Sequence, residues 1–139
     1  MYVLGGRDRN GNNLRTSRKY DPDEDRWSVM SAMPEALLCF GACVLETDIF
    51  VIGGRGADNI KNNTVYRYDT KADEWSTMAP MPAAKYDCSA CVLDGMIYAV
   101  GGRDEDQNIT RLVHRYDPAS NAWSTVAPML SARCSFGLF

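Results

Sequence analysis

Three copies of one pattern, each 48 residues from the last, limit what this 139-residue chain can become. Gly-Gly stands at 5–6, 53–54 and 101–102, each time followed by arginine: Arg7, Arg55 and Arg103. Tyr-Asp recurs at 20–21, 68–69 and 116–117, and Trp-Ser at 27–28, 75–76 and 123–124. A repeat of this length is one supersecondary unit built several times. Such units stack because one alone cannot bury its own apolar face.

Within the last full copy the pattern predicts four short strands, over 87–93, 96–102, 112–117 and 122–127. The first two are rich in β-favouring residues and are separated by Asp94-Gly95, a hairpin signal. The last two are joined by "PASN" (118–121), again turn chemistry. No stretch keeps an apolar period of about 3.6 residues, so the chain reads as all-β.

A glycine pair after a strand, followed by arginine, also has the makings of a phosphate-binding turn. Neither nucleotide motif is completed: no Gly-Lys-Ser/Thr follows any copy, and "GRGADN" (54–59) lacks the final glycine of a dinucleotide fingerprint. The glycines are instead expected to permit close backbone approach or unusual dihedrals at strand ends. The tyrosines and tryptophans, held in fixed register, are expected to pack between repeats.

Other chemistry is sparse. Cys88 and Cys91 lie three apart on a predicted strand and so point to opposite faces, which does not suit a tetrahedral metal ion. In the repeat Cys88 aligns with Phe40 and Phe136, and Cys43 and Cys91 with Phe139, as small hydrophobes filling core slots. No metal or cofactor is expected. His114, the single histidine, aligns with Arg18 and Tyr66, is expected at a surface, and has no nucleophile pattern around it. "DPDED" (21–25) lacks the spaced ligands of a calcium loop and reads as a turn. Five cysteines in no disulfide framework favour a reducing, cytoplasmic setting. The N-terminus lacks the features of a signal peptide, so the sequons at 62–64 and 108–110 read as accidental. There is no apolar run of membrane-spanning length, and a net charge of −3 makes no general case for nucleic acid.

An apolar strand, Gly-Gly, a polar loop, Tyr-Asp, a short turn and Trp together resemble the kelch repeat, and the resemblance covers the whole chain. The look is nearest to the propellers of BTB–kelch (kelch-like) substrate adaptors. The resemblance implies a kelch-repeat domain over 1–139, a β-propeller built of four-stranded blades, and a protein-interaction module rather than an enzyme. BTB and BACK domains are absent from the sequence, so cullin recruitment is not carried over. Two alternatives stay open. One is the oxidase or epimerase chemistry of some kelch propellers, for which no cofactor constellation or acid–base pair is found. The other is a partial propeller with no independent function.

Geometry sorts the charges by face. In an up-and-down blade the first-to-second and third-to-fourth turns share one face. They hold Asp21, Asp23, Glu24, Asp25, Glu46, Asp48, Asp69, Asp73, Glu74, Asp94 and Asp117 against only Arg26 and Lys71, a net of −9. The opposite face sums to +2, with Arg7, Arg9, Arg15, Arg55, Lys61, Lys85, Arg103, Arg111 and Arg133 against seven acids. By resemblance this second face carries the ligand pocket. It places Arg7, Arg55 and Arg103 after the glycines, Lys85 and Arg133 at the entry to a first strand, and Asp87 and Ser135 at a second entry position. Arg9 and Tyr86 complete the expected partner-binding set, whose ligand would be a protein or an acidic peptide. Leu37 and Cys39 fill the entry positions of the remaining link, so the pocket is not uniformly basic.

The strand count sets one further expectation. The chain opens with the second, third and fourth strands of a blade, runs through two full blades, and ends in a lone first strand, "SFGLF" (135–139). Propellers have about 4–8 blades. Three blades are therefore expected to form half of a six-bladed ring closed by homodimerisation, residues 134–139 completing an N-terminal blade.

Overall fold

The computed structural model describes residues 1–138, apart from the side chain of Asp58. It is all-β, with eleven strands in three antiparallel sheets. The first sheet holds β1 (Tyr2–Leu4), β2 (Ser17–Asp21) and β3 (Arg26–Met30). The second holds β4 (Gly41–Leu45), β5 (Asp48–Ile52), β6 (Val65–Asp69) and β7 (Glu74–Met78). The third holds β8 (Ser89–Leu93), β9 (Met96–Val100), β10 (Val113–Asp117) and β11 (Ala122–Val126). Each sheet runs up and down in chain order, as kelch blades do. The expected strands are present in the third blade, shortened by one or two residues at their ends.

One expected strand is not formed. Residues 135–138 carry the first-strand pattern but are irregular, and Phe139 lies outside the described residues. Among the described residues this segment pairs with no strand. The first blade accordingly has three strands where the others have four.

The core lies between blades. Phe50, Ile52, Val65 and Met81 of the second meet Ala90, Ile97, Ala99 and Tyr116 of the third. A second cluster joins Met33 and Leu37 to Val51 and Tyr66. The repeated aromatics clasp one blade to the next. Tyr68 and Trp75 are cross-strand partners with ring centroids 4.8 Å apart. The Tyr68 hydroxyl donates to Asp73 Oδ1 at 2.6 Å, and the same oxygen accepts the Ser31 N–H at 2.8 Å. Trp75 Nε1 then donates to the Ser31 carbonyl at 2.9 Å, so both backbone groups of one residue in the preceding link are held. Tyr116, Asn121 and Trp123 hold Ala79 in the same way, at 2.7, 2.9 and 2.8 Å. In the first blade Trp27 makes no such bond among the described residues and is 47% exposed.

Gly53 and Gly101 combine both properties expected of the doubled glycines. Gly53 has φ +64°, and a Cβ there would stand 2.4 Å from the Lys85 carbonyl oxygen. Trp75→Ala is expected to cost about 3 kcal/mol, the low end of the range for emptying an aromatic site because Trp75 is half-buried. Asp73→Ala should also lower the melting temperature, through the same clasp. Thermal melts of both variants check this, and an unshifted Trp75→Ala would mean that the clasp holds nothing.

Candidate interaction face

The loops leaving β1, β5 and β9 each begin with the post-glycine arginine, and backbone bridges fix where two of these arginines sit. Arg55 exchanges N–H···O=C bonds with Leu38 at 2.8 and 3.0 Å, and Arg103 does so with Tyr86 at 2.7 and 3.1 Å. These bridges tie each loop root to the entry of the same blade's first strand.

The three arginines differ in what their side chains meet. Arg103 forms an ion pair with Asp87 at 3.7 Å and donates to the Gln107 carbonyl at 3.1 Å. Arg55 lies over the Tyr86 ring, 5.0 Å from its centroid, and donates from Nη1 to Asn59 Oδ1 at 2.9 Å. Its Nε is buried with no hydrogen-bond partner. Arg7 is exposed. Among the described residues neither Arg7 nor Arg55 has an ion-pair partner. The two line one cavity of about 470 Å³ between the loops of the first and second blades, with Asn12, Asn13, Leu38 and Asn59.

Lys85 requires a correction. It was expected to present its charge on this face, but it is 1% exposed and its Nζ donates to the Leu112 carbonyl at 3.1 Å. It occupies the interblade slot that Leu37 fills one repeat earlier, and burial brings its pKa down to about 8. His114 is corrected likewise: expected at a surface, it is 3% exposed. Its Nδ1 lies 3.1 Å from Thr125 Oγ1 and its Nε2 is buried without a partner. Burial first, and then the charge of Lys85, bring its pKa down to about 4. The aligned Tyr66, also buried, carried the signal. Arg18 masked it, because Arg18 in the first blade is exposed.

The remaining expected residues divide. Tyr86 is 3% exposed and serves as the platform under Arg55. Asp87 and Ser135 both have positive φ, 53° and 51°, and the Ser135 N–H donates to the Asp87 carbonyl at 3.0 Å. Arg9 and Arg133 are exposed but do not line the cavity, and Arg133 donates to Ser131 Oγ at 2.8 Å. The asparagines of the cavity were missed. Asn13 donates to the Gly56 carbonyl at 3.0 Å and so links the two loops. Asp8-x-x-x-Asn12 and Asp104-x-x-x-Asn108 are the legible signal, each aspartate accepting its asparagine's N–H at 2.8 Å.

Several acids of the opposite face, Asp21, Asp69 and Asp117 among them, accept hydrogen bonds from N–H groups of their own turns. Asp69 accepts the N–H groups of Ala72 and Lys71, which hold its carboxyl below the usual carboxylate range. Asp117 is lowered by the Ser120 hydroxyl and the Ala119 N–H, and Asp73 by the Tyr68 hydroxyl and the Ser31 N–H. Their placement follows from hairpin chemistry.

A family model described as the KLHDC2/KLHL20/DRC7 Kelch-repeats domain matches residues 1–136. The chain belongs to the kelch-repeat family. No curated protein matches it. Membership makes the kelch domain a protein-interaction module.

The buried histidine makes this kelch domain sensitive to acid. Between pH 6.5 and about 4 the unfolded chain binds a proton at His114 that the folded chain does not. Its contribution is therefore complete above pH 6.5 and lost as pH falls through that window. The melting temperature is expected to drop over this range in the parent and to vary less in His114→Gln. Parallel slopes would mean that other groups govern the acid limb.

Proposed function

We propose that this kelch domain docks an acidic segment of a protein partner in the manner of the substrate-recognition domain of a kelch adaptor. The cavity shared by Arg7 and Arg55 receives the carboxylates. The observation that carries this reading is the contrast among three equivalent arginines: Arg103 already has a carboxylate in Asp87, whereas Arg7 and Arg55 have none among the described residues. Charge-assisted hydrogen bonds from guanidinium to carboxylate are among the stronger polar contacts available to such a face. The Tyr86 ring lies beneath the Arg55 guanidinium, a group whose fork of N–H donors matches a carboxylate. The reading needs no cofactor, and free cysteines suit a reducing, cytoplasmic setting. The three blades act as half of a six-bladed ring, and two copies complete it.

Fluorescence anisotropy with labelled acidic and basic peptide pools tests the site. Acidic peptides are expected to bind, and to bind more weakly as salt is raised. Arg7→Ala with Arg55→Ala should weaken binding by at least about tenfold, roughly 1.4 kcal/mol. Arg103→Ala should have a much smaller effect. Equal binding by the double variant removes the assignment.

A further inference from the structure

The first blade has an open edge where each of the others has a strand. β4 pairs with β5 through Gly41–Ile52 and Ala42–Val51, and β8 with β9 through Ser89–Val100 and Ala90–Ala99. β1 pairs with β2 alone. Along its free side runs an apolar groove of about 450 Å³, lined by residues that include Tyr2, Leu4, Phe40 and Val44. Residues 135–138 stand at the repeat positions of 39–42 and 87–90, the segments that fill the equivalent place in the other two blades. They emerge, however, beyond the third blade and pair with no strand among the described residues.

We infer that the occupant of this groove is the 134–138 segment of a second copy, each copy donating its tail to the other. The inference rests on the half-ring reading above and gives it a register. Carried forward by the repeat, the pairs Gly41–Ile52 and Ala42–Val51 become Gly137 of the second copy with Leu4, and Leu138 of the second copy with Val3. Strand addition of this kind satisfies main-chain groups while side chains fill alternate pockets.

Three further features without partners among the described residues call for this tail or for the link that leads to it. Arg55 and Arg103 each exchange two backbone bonds with a first-strand entry, at Leu38 and Tyr86. Among the described residues the backbone of Arg7 has no such exchange, and the residue one repeat beyond Tyr86 is Cys134. Trp75 and Trp123 donate to the carbonyls of Ser31 and Ala79, while Trp27 is 47% exposed. The residue one repeat beyond Ala79 is Ala127, in the link that leads to the tail. Finally, the Asp87 N–H donates to the Cys39 carbonyl and the Ser135 N–H to the Asp87 carbonyl. The Cys39 N–H has no backbone acceptor among the described residues, and the carbonyl of the second copy's Ser135 continues the series. One interblade contact, made twice within the chain, is thereby made again between chains in both directions, an isologous two-fold closure.

The closure also completes the binding face. The second copy's Ser135 takes, beside Arg7, the place that Asp87 holds beside Arg103. A hydroxyl there leaves the Arg7 charge available, and the two-fold axis presents the Arg7–Arg55 cavity twice around the pore.

Light scattering on a size-exclusion column is expected to give twice the 15.5 kDa chain mass. Val3 is 50% exposed, so Val3→Cys empties no core. Co-expressed Val3→Cys and Leu138→Cys copies should form a reducible covalent dimer on oxidation, beyond the background of either variant alone. Leu4→Cys with Leu138→Cys should not, because the two side chains point to opposite faces of the sheet. A folded monomer overturns the inference. So does a dimer that fails to cross-link, or one that cross-links equally through Leu4→Cys. Acidic-peptide binding is measured on the same samples: cross-linking without binding leaves the strand exchange standing and removes the docking site, and binding by a monomer does the reverse.

Discussion

At Gly53 the backbone leaving β5 passes so close to the Lys85 carbonyl that a Cβ would stand 2.4 Å from its oxygen. Gly101 meets the Arg133 carbonyl in the same way, at 2.5 Å. One residue later the backbone binds back: the Gly54 N–H donates to the Lys85 carbonyl at 2.7 Å, and that of Gly102 to the Arg133 carbonyl at 2.9 Å. The end of a second strand is thus joined to the link that leads into the next blade. Glycine is required twice over, by positive φ and by lack of room. The arginines, the entry residues and the cavity take their positions from this junction.

The aromatic clasp adds direction. Asp73, itself bonded by the Tyr68 hydroxyl, accepts the N–H of Ser31 in the preceding link while Trp75 donates to the carbonyl of the same residue, and Asn121 with Trp123 holds Ala79 likewise. Blades are therefore fastened backwards along the chain, and the two ends of the array differ. The N-terminal end presents an unused clasp at Trp27 and an uncovered strand edge at β1. The C-terminal end presents the residues that such features hold elsewhere in the chain.

Most of the scaffold was legible because the 48-residue repeat made every position a comparison among three. Glycine at 53 and 101, tyrosine at 68 and 116, and tryptophan at 75 and 123 each answer to a backbone requirement that recurs with the repeat. The site was less legible because its chemistry lies where the copies diverge. Leu37, Lys85 and Arg133 align, yet the first two are enclosed between blades and the third is exposed at the end of the array. Charge alone could not separate Lys85 from Arg133, since the difference lies in whether another blade follows. Sequence spacing likewise could not show that Asp87 neutralises Arg103 while Arg55 stacks on Tyr86. Those pairings depend on the side-chain directions set by the bridges at Leu38 and Tyr86.

The hydrogen bonds that place the loop roots at Arg55 and Arg103 run from main chain to main chain. Substituting the side chain at either position, or at its neighbour in the strand entry, leaves those bonds with the same atoms. The scaffold is thus insulated from the residues that face a ligand, and the duplicated positions are free to diverge. Cys39, Asp87 and Ser135 show the result: a thiol, a carboxylate and a hydroxyl stand on equivalent backbone, all at positive φ. Gene duplication in such a fold multiplies recognition chemistry at constant architecture, each copy open to selection on its own side chains.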